Sequence, residues 1–73
     1  MNLNMIVAGR VRDLLSEKGH TQDWLATETG IPMRTLARRL NELNPSPFTV
    51  DELHRVATVL RVPAPSLLTR DTA

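Results

Sequence analysis

Residues 22–41 read QDWLATETGIPMRTLARRLN, a pattern that predicts two short helices joined by a tight turn. Thr21 can cap the first of them, expected at 22–28, with its side-chain hydroxyl. Gly30 permits the positive φ at which that helix ends and the chain turns sharply. A second helix is expected at 32–41. Because helices this short are not stable in isolation, the rest of the chain must hold them in place.

The second helix of this pair has an outer side that carries charges of one sign. If Leu36 and Leu40 face the core, a rotation of 100° per residue points Arg34, Arg38 and Asn41 outward. The helix and its turn contain three arginines and no acidic residue, whereas a face made only for solubility usually mixes charges. Arginine and asparagine can form paired hydrogen bonds with guanine and adenine. The pattern predicts a DNA-reading helix-turn-helix, against the alternative of a solvated arginine face.

The flanking segments complete a compact all-α domain, because their apolar residues recur at helical spacing and nothing alternates with a period of two. Gly19 can stop the first helix in a left-handed conformation. Thr49 and Glu52 form a capping box that starts the fourth helix. A short fifth turn or helix is expected to bury Leu67 or Leu68. The five helices are expected at 6–18, 22–28, 32–41, 50–60 and 65–69.

The composition excludes several classes of protein. Seventy-three residues allow one domain, spanning 1–73, and the absence of cysteine excludes disulfides and cysteine zinc sites. His20 and His54 are the two histidines, and a pair this sparse is more often on the surface than in a metal site, so no metal is expected. No segment has the length of a membrane span or the form of a signal peptide, which predicts a cytoplasmic protein. The chain has no nucleophile–base pair and no phosphate-binding loop, so we expect neither an enzyme, nor a cofactor, nor a small-molecule effector.

Three blocks of the sequence follow a pattern seen in known DNA-binding regulators. They are Gln22-Asp23-Trp24-Leu25-Ala26 with Gly30-Ile31 and Thr35-Leu36, then Pro47-Phe48-Thr49-Val50-Asp51-Glu52-Leu53, and finally Val59-Leu60-Arg61-Val62. Together they resemble the lambda-repressor and Cro-like (XRE-type) superfamily of helix-turn-helix regulators from bacteria and phages. The resemblance covers about residues 6–69. It implies five helices, double-stranded operator DNA as partner and, commonly, a homodimer.

The resemblance also suggests which residues contact DNA. Gln22 matches the glutamine that opens the second helix of the family and often touches a phosphate. Met33, Arg34 and Arg38 match the base-facing positions of the family's recognition helix. The loop before the fourth helix matches a region that holds phosphates in relatives, or else is an ordinary proline-rich connector. Combined with helical periodicity, this gives Met33, Arg34, Arg38 and Asn41 as base-facing candidates, and Gln22, Thr35, Arg39, Asn44 and Ser46 as candidates for the DNA backbone.

Two residues depart from the family pattern. Thr29 stands where an apolar residue is usual, and Arg39 stands where one is frequent. We therefore expect Leu40 to take over a core role at this corner.

Some residues admit two interpretations, and so does the function. Trp24 either folds back onto the first or fourth helix or contacts a partner, and Leu67 and Leu68 either close the core or form a dimer patch. The leading prediction is a transcriptional regulator, repressor-like, that forms a weak homodimer on a palindromic site. The alternatives are a protein-interaction module of the same fold, such as an antitoxin, anti-repressor or adaptor, and an architectural or recombination accessory factor.

Overall fold

The computed structural model describes residues 2–69, which form four α-helices and one 3₁₀-helix. The ends of the predicted domain, residues 1 and 70–73, lie outside the described residues. The helices are α1 (Leu3–Lys18), α2 (Gln22–Thr29), α3 (Met33–Arg39) and α4 (Val50–Leu60), followed by the 3₁₀-helix Ala64–Leu68. The described part contains no β-strand, so the all-α prediction is confirmed.

The prediction of five α-helices is wrong at the last element, which is a 3₁₀-helix. Pro65 has no amide hydrogen to give to an α-helical ladder. The amide of Ser66 donates to the carbonyl of Pro63 at 2.9 Å, which is the three-residue spacing of a 3₁₀-turn. Two prolines within three residues therefore favour the tighter helix.

Local capping signals set most of the other helix boundaries as predicted. The Thr21 hydroxyl accepts a hydrogen bond from the amide of Trp24 at 3.1 Å, and Gly19 and Gly30 end their helices at φ 72° and 78°. The capping box of Thr49 and Glu52 is complete, and α4 occupies the predicted residues.

Two boundaries of the α-helices differ from the prediction by more than one residue. α1 begins three residues earlier than expected, because the side chain of Asn2 accepts from the amide of Met5 at 2.9 Å and caps the helix there. α3 ends at Arg39 instead of Asn41. The Asn41 side chain accepts from the amides of Leu43 and Asn44, which turns the chain away from the helix axis.

The core is aliphatic and draws on every helix. α2 packs against α3 and α4, while the 3₁₀-helix packs against α1 and α4. Phe48 and Leu53 pack against this core but stay partly exposed. The buried apolar residues are Val7, Ala8, Val11, Leu14, Leu15, Leu25, Ala26, Ile31, Leu36, Leu40, Val56, Ala57, Leu60 and Leu67.

None of the helices within residues 2–69 has the length and apolar character that a bilayer crossing requires.

Candidate nucleic-acid interface

The corner between α2 and α3 is built around a buried hydroxyl. Thr29 is only 8% exposed, and its Oγ1 donates to the carbonyl of Leu25 at 2.7 Å. The same oxygen accepts from the amide of Ile31 at 3.2 Å, just beyond Gly30. The lambda-repressor and Cro-like pattern has an apolar residue at this corner. A threonine can take its place here because both the donor and the acceptor of its hydroxyl are satisfied.

The inner side of α3 is fixed by apolar burial and by one long-range hydrogen bond. Leu36 is fully buried, and Leu40, at the helix C-cap, is 2% exposed, as the helical periodicity predicts. Nη1 of Arg12, in α1, donates to the carbonyl of Leu40 at 2.8 Å. This bond satisfies one of the free carbonyls that every helix end presents, and it ties the end of α3 to α1.

The outer side of α3 presents four residues to solvent: Met33, Arg34, Ala37 and Arg38. Arg34 and Arg38 lie one helical turn apart. Within residues 2–69 neither forms a salt bridge or a side-chain hydrogen bond. The two guanidinium groups therefore form a cationic, uncompensated face, with the apolar Met33 beside them, 39% exposed.

Arg39 points elsewhere, although it follows Arg38 directly. Its Nε donates to Oε1 of Glu52 at 2.9 Å, its Nη2 donates to Oε2 at 3.4 Å, and its Nη1 donates to Oγ of Ser46 at 2.8 Å. The hydrogen bonds from Arg39 lower the pKa of the Glu52 carboxyl, and this effect outweighs the opposing effect of desolvation. Arg39 and Ser46, both expected at the DNA backbone, thus have partners inside the domain.

The loop after α3 holds the other candidates. Asn41 is exposed, but its Oδ1 already accepts the amides of Leu43 and Asn44 at 2.9 and 2.8 Å. The amide of Ser46 donates to the carbonyl of Arg38 at 3.1 Å, so the loop returns to the end of α3. Leu43 and Asn44 lie at the exposed tip, where the leucine is 90% exposed.

The remaining candidates for the DNA backbone lie on the two helices of the corner. Gln22 is the first residue of α2 and is half-buried. Thr35 is half-buried in α3, at the edge of the outward face.

The predicted partner contacts separate into different environments. Leu67 is fully buried, in the 3₁₀-helix that packs against α1 and α4, which favours the interpretation that it closes the core over that of a dimer patch. Leu68 is 39% exposed and therefore remains a candidate for a partner contact. Trp24 packs partly against the core, and its ring stacks on His20 with centroids 3.6 Å apart, which agrees with the folded-back interpretation.

The arginines on and around α3 differ in how far the sequence indicates their surroundings. The outward position of Arg34 and Arg38 follows from helical periodicity alone. The contacts of Arg12 and Arg39 reach residues 28 and 13 positions away, so no local pattern predicts them. Among residues 2–69, no three histidine, aspartate or glutamate side chains come together in a way that could hold a metal ion.

Comparison with known proteins places the chain in a family. No curated protein and no solved structure matches the chain. The model of the BetR domain family matches residues 2–73, nearly the whole chain. The family is a small helical domain of regulator type, and the match does not by itself place the chain in the Cro-like type. The protein is therefore a member of the BetR domain family.

Proposed function

We propose that this BetR domain is a sequence-specific DNA-binding transcriptional regulator of repressor type. In the proposal, α2, the turn at Gly30 and α3 act as a helix-turn-helix, and α3 enters the major groove of operator DNA. One observation carries the proposal: Arg34 and Arg38 share the exposed side of α3 and have no partner in the described part of the chain. Arginine at such a position can bridge O6 and N7 of guanine.

Further residues complete the proposed interface. Met33 supplies an apolar contact suited to the methyl group of thymine, and Asn41 lies where α3 gives way to the loop. Gln22, Thr35 and Asn44 are proposed to contact the DNA backbone. Contacts of this second kind fix the register of the protein on the duplex without selecting a sequence.

The decisive experiment is selection of bound sites from random duplex DNA, followed by titration of the enriched site at several salt concentrations. A regulator of the proposed kind enriches one motif and binds it with a steep dependence on salt. Strong distortion of the DNA with little sequence preference would instead indicate the architectural or recombination factor. Failure to enrich any motif would contradict the proposal.

The interaction-module alternative has less support from the structure. Of its three predicted contacts, Leu67 is buried and Trp24 is partly buried against the core and His20. Leu68 alone remains an exposed apolar candidate of that set.

Two copies are proposed to pair weakly on a palindromic operator, because a single short helix touches too few base pairs for tight selection among genomic sites. Control then comes from the concentration of the protein or from a partner, with no small-molecule effector. The site of action is the bacterial cytoplasm, on chromosomal or phage DNA.

A further inference from the structure

A closed set of polar contacts joins the end of α3 to the start of α4. Arg39 reaches Glu52 with two hydrogen bonds and Ser46 with a third. The amide of Ser46 in turn donates to the carbonyl of Arg38 at 3.1 Å. Arg39 and its neighbour Arg38 are therefore held by the same serine, one through the side chain and the other through the backbone.

Glu52 is itself held independently of α3. Its Oε1 accepts from the amide of Thr49 at 2.9 Å, and its own amide donates to the Thr49 hydroxyl at 3.1 Å. The carboxylate lies in the first turn of α4, where the helix dipole favours negative charge. It thus provides a fixed point against which Arg39 can be oriented.

The pair is more than an exposed ion pair. The side chains of Arg39 and Glu52 are 20% and 15% exposed, so water screens their attraction less than it does between fully solvated charges. Two hydrogen bonds from one planar guanidinium to one carboxylate fix both the distance between the two groups and their relative orientation.

α3 needs such a directional contact. It has only seven residues, and Leu36 is its one buried residue, with Leu40 following at the C-cap. Apolar contacts are non-directional, so they favour burial of this side without fixing the rotation of the helix about its axis. The contact of Arg39 with Glu52 restricts that rotation.

We infer that Arg39 is a positioning residue, which sets the direction in which Arg34 and Arg38 leave the domain by binding Glu52 and Ser46. Its guanidinium group binds side chains of the protein itself and not a DNA phosphate. The inference rests on the proposed DNA-reading function and names the residue that orients the reading helix.

The substitution Glu52→Gln distinguishes the two roles by the sign of its effect. Glutamine keeps the size of the side chain and can still complete a capping box. If Arg39 contacts a phosphate, loss of the carboxylate frees it and removes a nearby negative charge, so all DNA binds more tightly and the salt dependence steepens. If Arg39 positions α3, the preferred site is bound roughly tenfold more weakly, and its advantage over a single-mismatch site shrinks.

Asp51→Asn is the matched control. It removes the same charge from the same turn of α4, but Asp51 pairs with the exposed Arg55 and does not contact Arg39. We expect its discrimination between the preferred and mismatched sites to equal that of the wild type. Ser46→Ala removes one hydrogen bond and no charge, and should weaken the preferred site in the same direction as Glu52→Gln but by less.

The measurements are titrations of both sites by fluorescence anisotropy, with circular dichroism melts as the folding control. If Glu52→Gln melts below the assay temperature, the discrimination of Ser46→Ala between the two sites decides the question, because loss of a backbone contact would weaken both sites alike. If the folded Glu52→Gln variant binds DNA more tightly, or discriminates between the two sites as well as the wild type does, the inference is overturned. The proposed function then still stands, because it depends on the site preference of the wild type. A wild type without a preferred site would overturn the proposed function, and the inference with it.

Discussion

At the scale of single residues, the arginines around α3 differ in what binds them. Arg12 donates to a backbone carbonyl, and Arg39 binds a carboxylate and a hydroxyl. Arg34 and Arg38 have no such partner within residues 2–69 and face solvent. Since residue type is the same in all four, only the surroundings separate the arginines that hold the helix from those available to DNA.

Replacing either outward arginine should lower both the affinity for the preferred site and the selectivity for its bases. Arg34→Ala or Arg38→Ala should each cost about 1–3 kcal/mol of binding free energy on the preferred site and relax the preference at one base position. The check is titration of the preferred site and its single-base variants.

Lys18→Ala is a suitable control for these variants. It also removes one positive charge, but from the end of α1, beside Trp24 and Arg61 and not on α3. Site preference should be unchanged. Equal behaviour of Lys18→Ala and the two arginine variants would show that only net charge matters, and would argue against base reading by α3.

Glu52 should make the stability of the domain depend on pH in the acid range. The hydrogen bonds from Arg39 lower its pKa below the ordinary 4.5. A carboxyl with a lowered folded-state pKa stabilises the protein fully above its unfolded-state value, and the contribution is lost as the pH falls through the folded-state pKa. The free energy of unfolding should therefore fall more steeply below pH 4.5 in the wild type than in Glu52→Gln.

Urea titrations of both proteins at a series of pH values measure this difference. The two stability curves should converge as the pH falls below the lowered pKa, because a protonated Glu52 resembles glutamine. A constant gap between them would mean that the charge of Glu52 contributes nothing to stability.

At the scale of the element, α3 is too short to be stable by itself, so its neighbours determine its stability. Leu36→Ala removes a fully buried side chain and should cost roughly 2–5 kcal/mol of unfolding free energy. Leu43→Ala is the same chemical change at a position that is 90% exposed, so it should leave stability nearly unchanged. Denaturant titrations give both values, and similar losses would contradict the assigned inner side of α3.

The boundaries of the elements show what a sequence can predict. The caps at Thr21, Gly30 and Thr49 act over two to four residues, so the local pattern contains the whole interaction. The end of α3 depends on Asn41 closing a turn and on Ser46 returning to Arg38, and periodicity through Leu40 does not reveal either contact.

The candidate site follows the same division between local and distant causes. Helical periodicity is sufficient to place Arg34 and Arg38 outward. The contact of Arg39 is with a residue in the next helix, and that spatial relation exists only once α3 and α4 have both packed against α2.

At the scale of the whole molecule, residues 2–69 of one copy measure 29 × 24 × 21 Å, which is less than the ~34 Å between successive major-groove half-sites. Under the proposed function, a second copy would reach the next turn. The exposed apolar residues on α1 and the 3₁₀-helix, two elements that pack together, are Leu3, Met5 and Leu68, exposed by 53%, 38% and 39%.

Leu68→Asp should abolish cooperative binding to a full palindrome and leave half-site affinity nearly intact, because it places a charge on this apolar surface. Leu67→Asp cannot serve, since it would bury a charge in the core and unfold the domain. Thr58→Asp is the control, because it adds the same charge at an exposed position of α4, outside both this set and the proposed DNA contacts. Gel shifts with full and half sites measure the effect, and equal wild-type affinity for both sites would rule out pairing on DNA.

The two sides of α3 share no residue, and this affects how the protein can evolve. The inner side is occupied by Leu36, Leu40 and the paired Arg39, whereas the outer four positions take no part in the described packing or ion pairs. Exchanges at exposed positions of that kind usually alter folding stability by no more than about 0.5 kcal/mol. Under the proposed function, a lineage can therefore acquire a new operator by one or two substitutions at the outer positions, while the scaffold stays under separate selection.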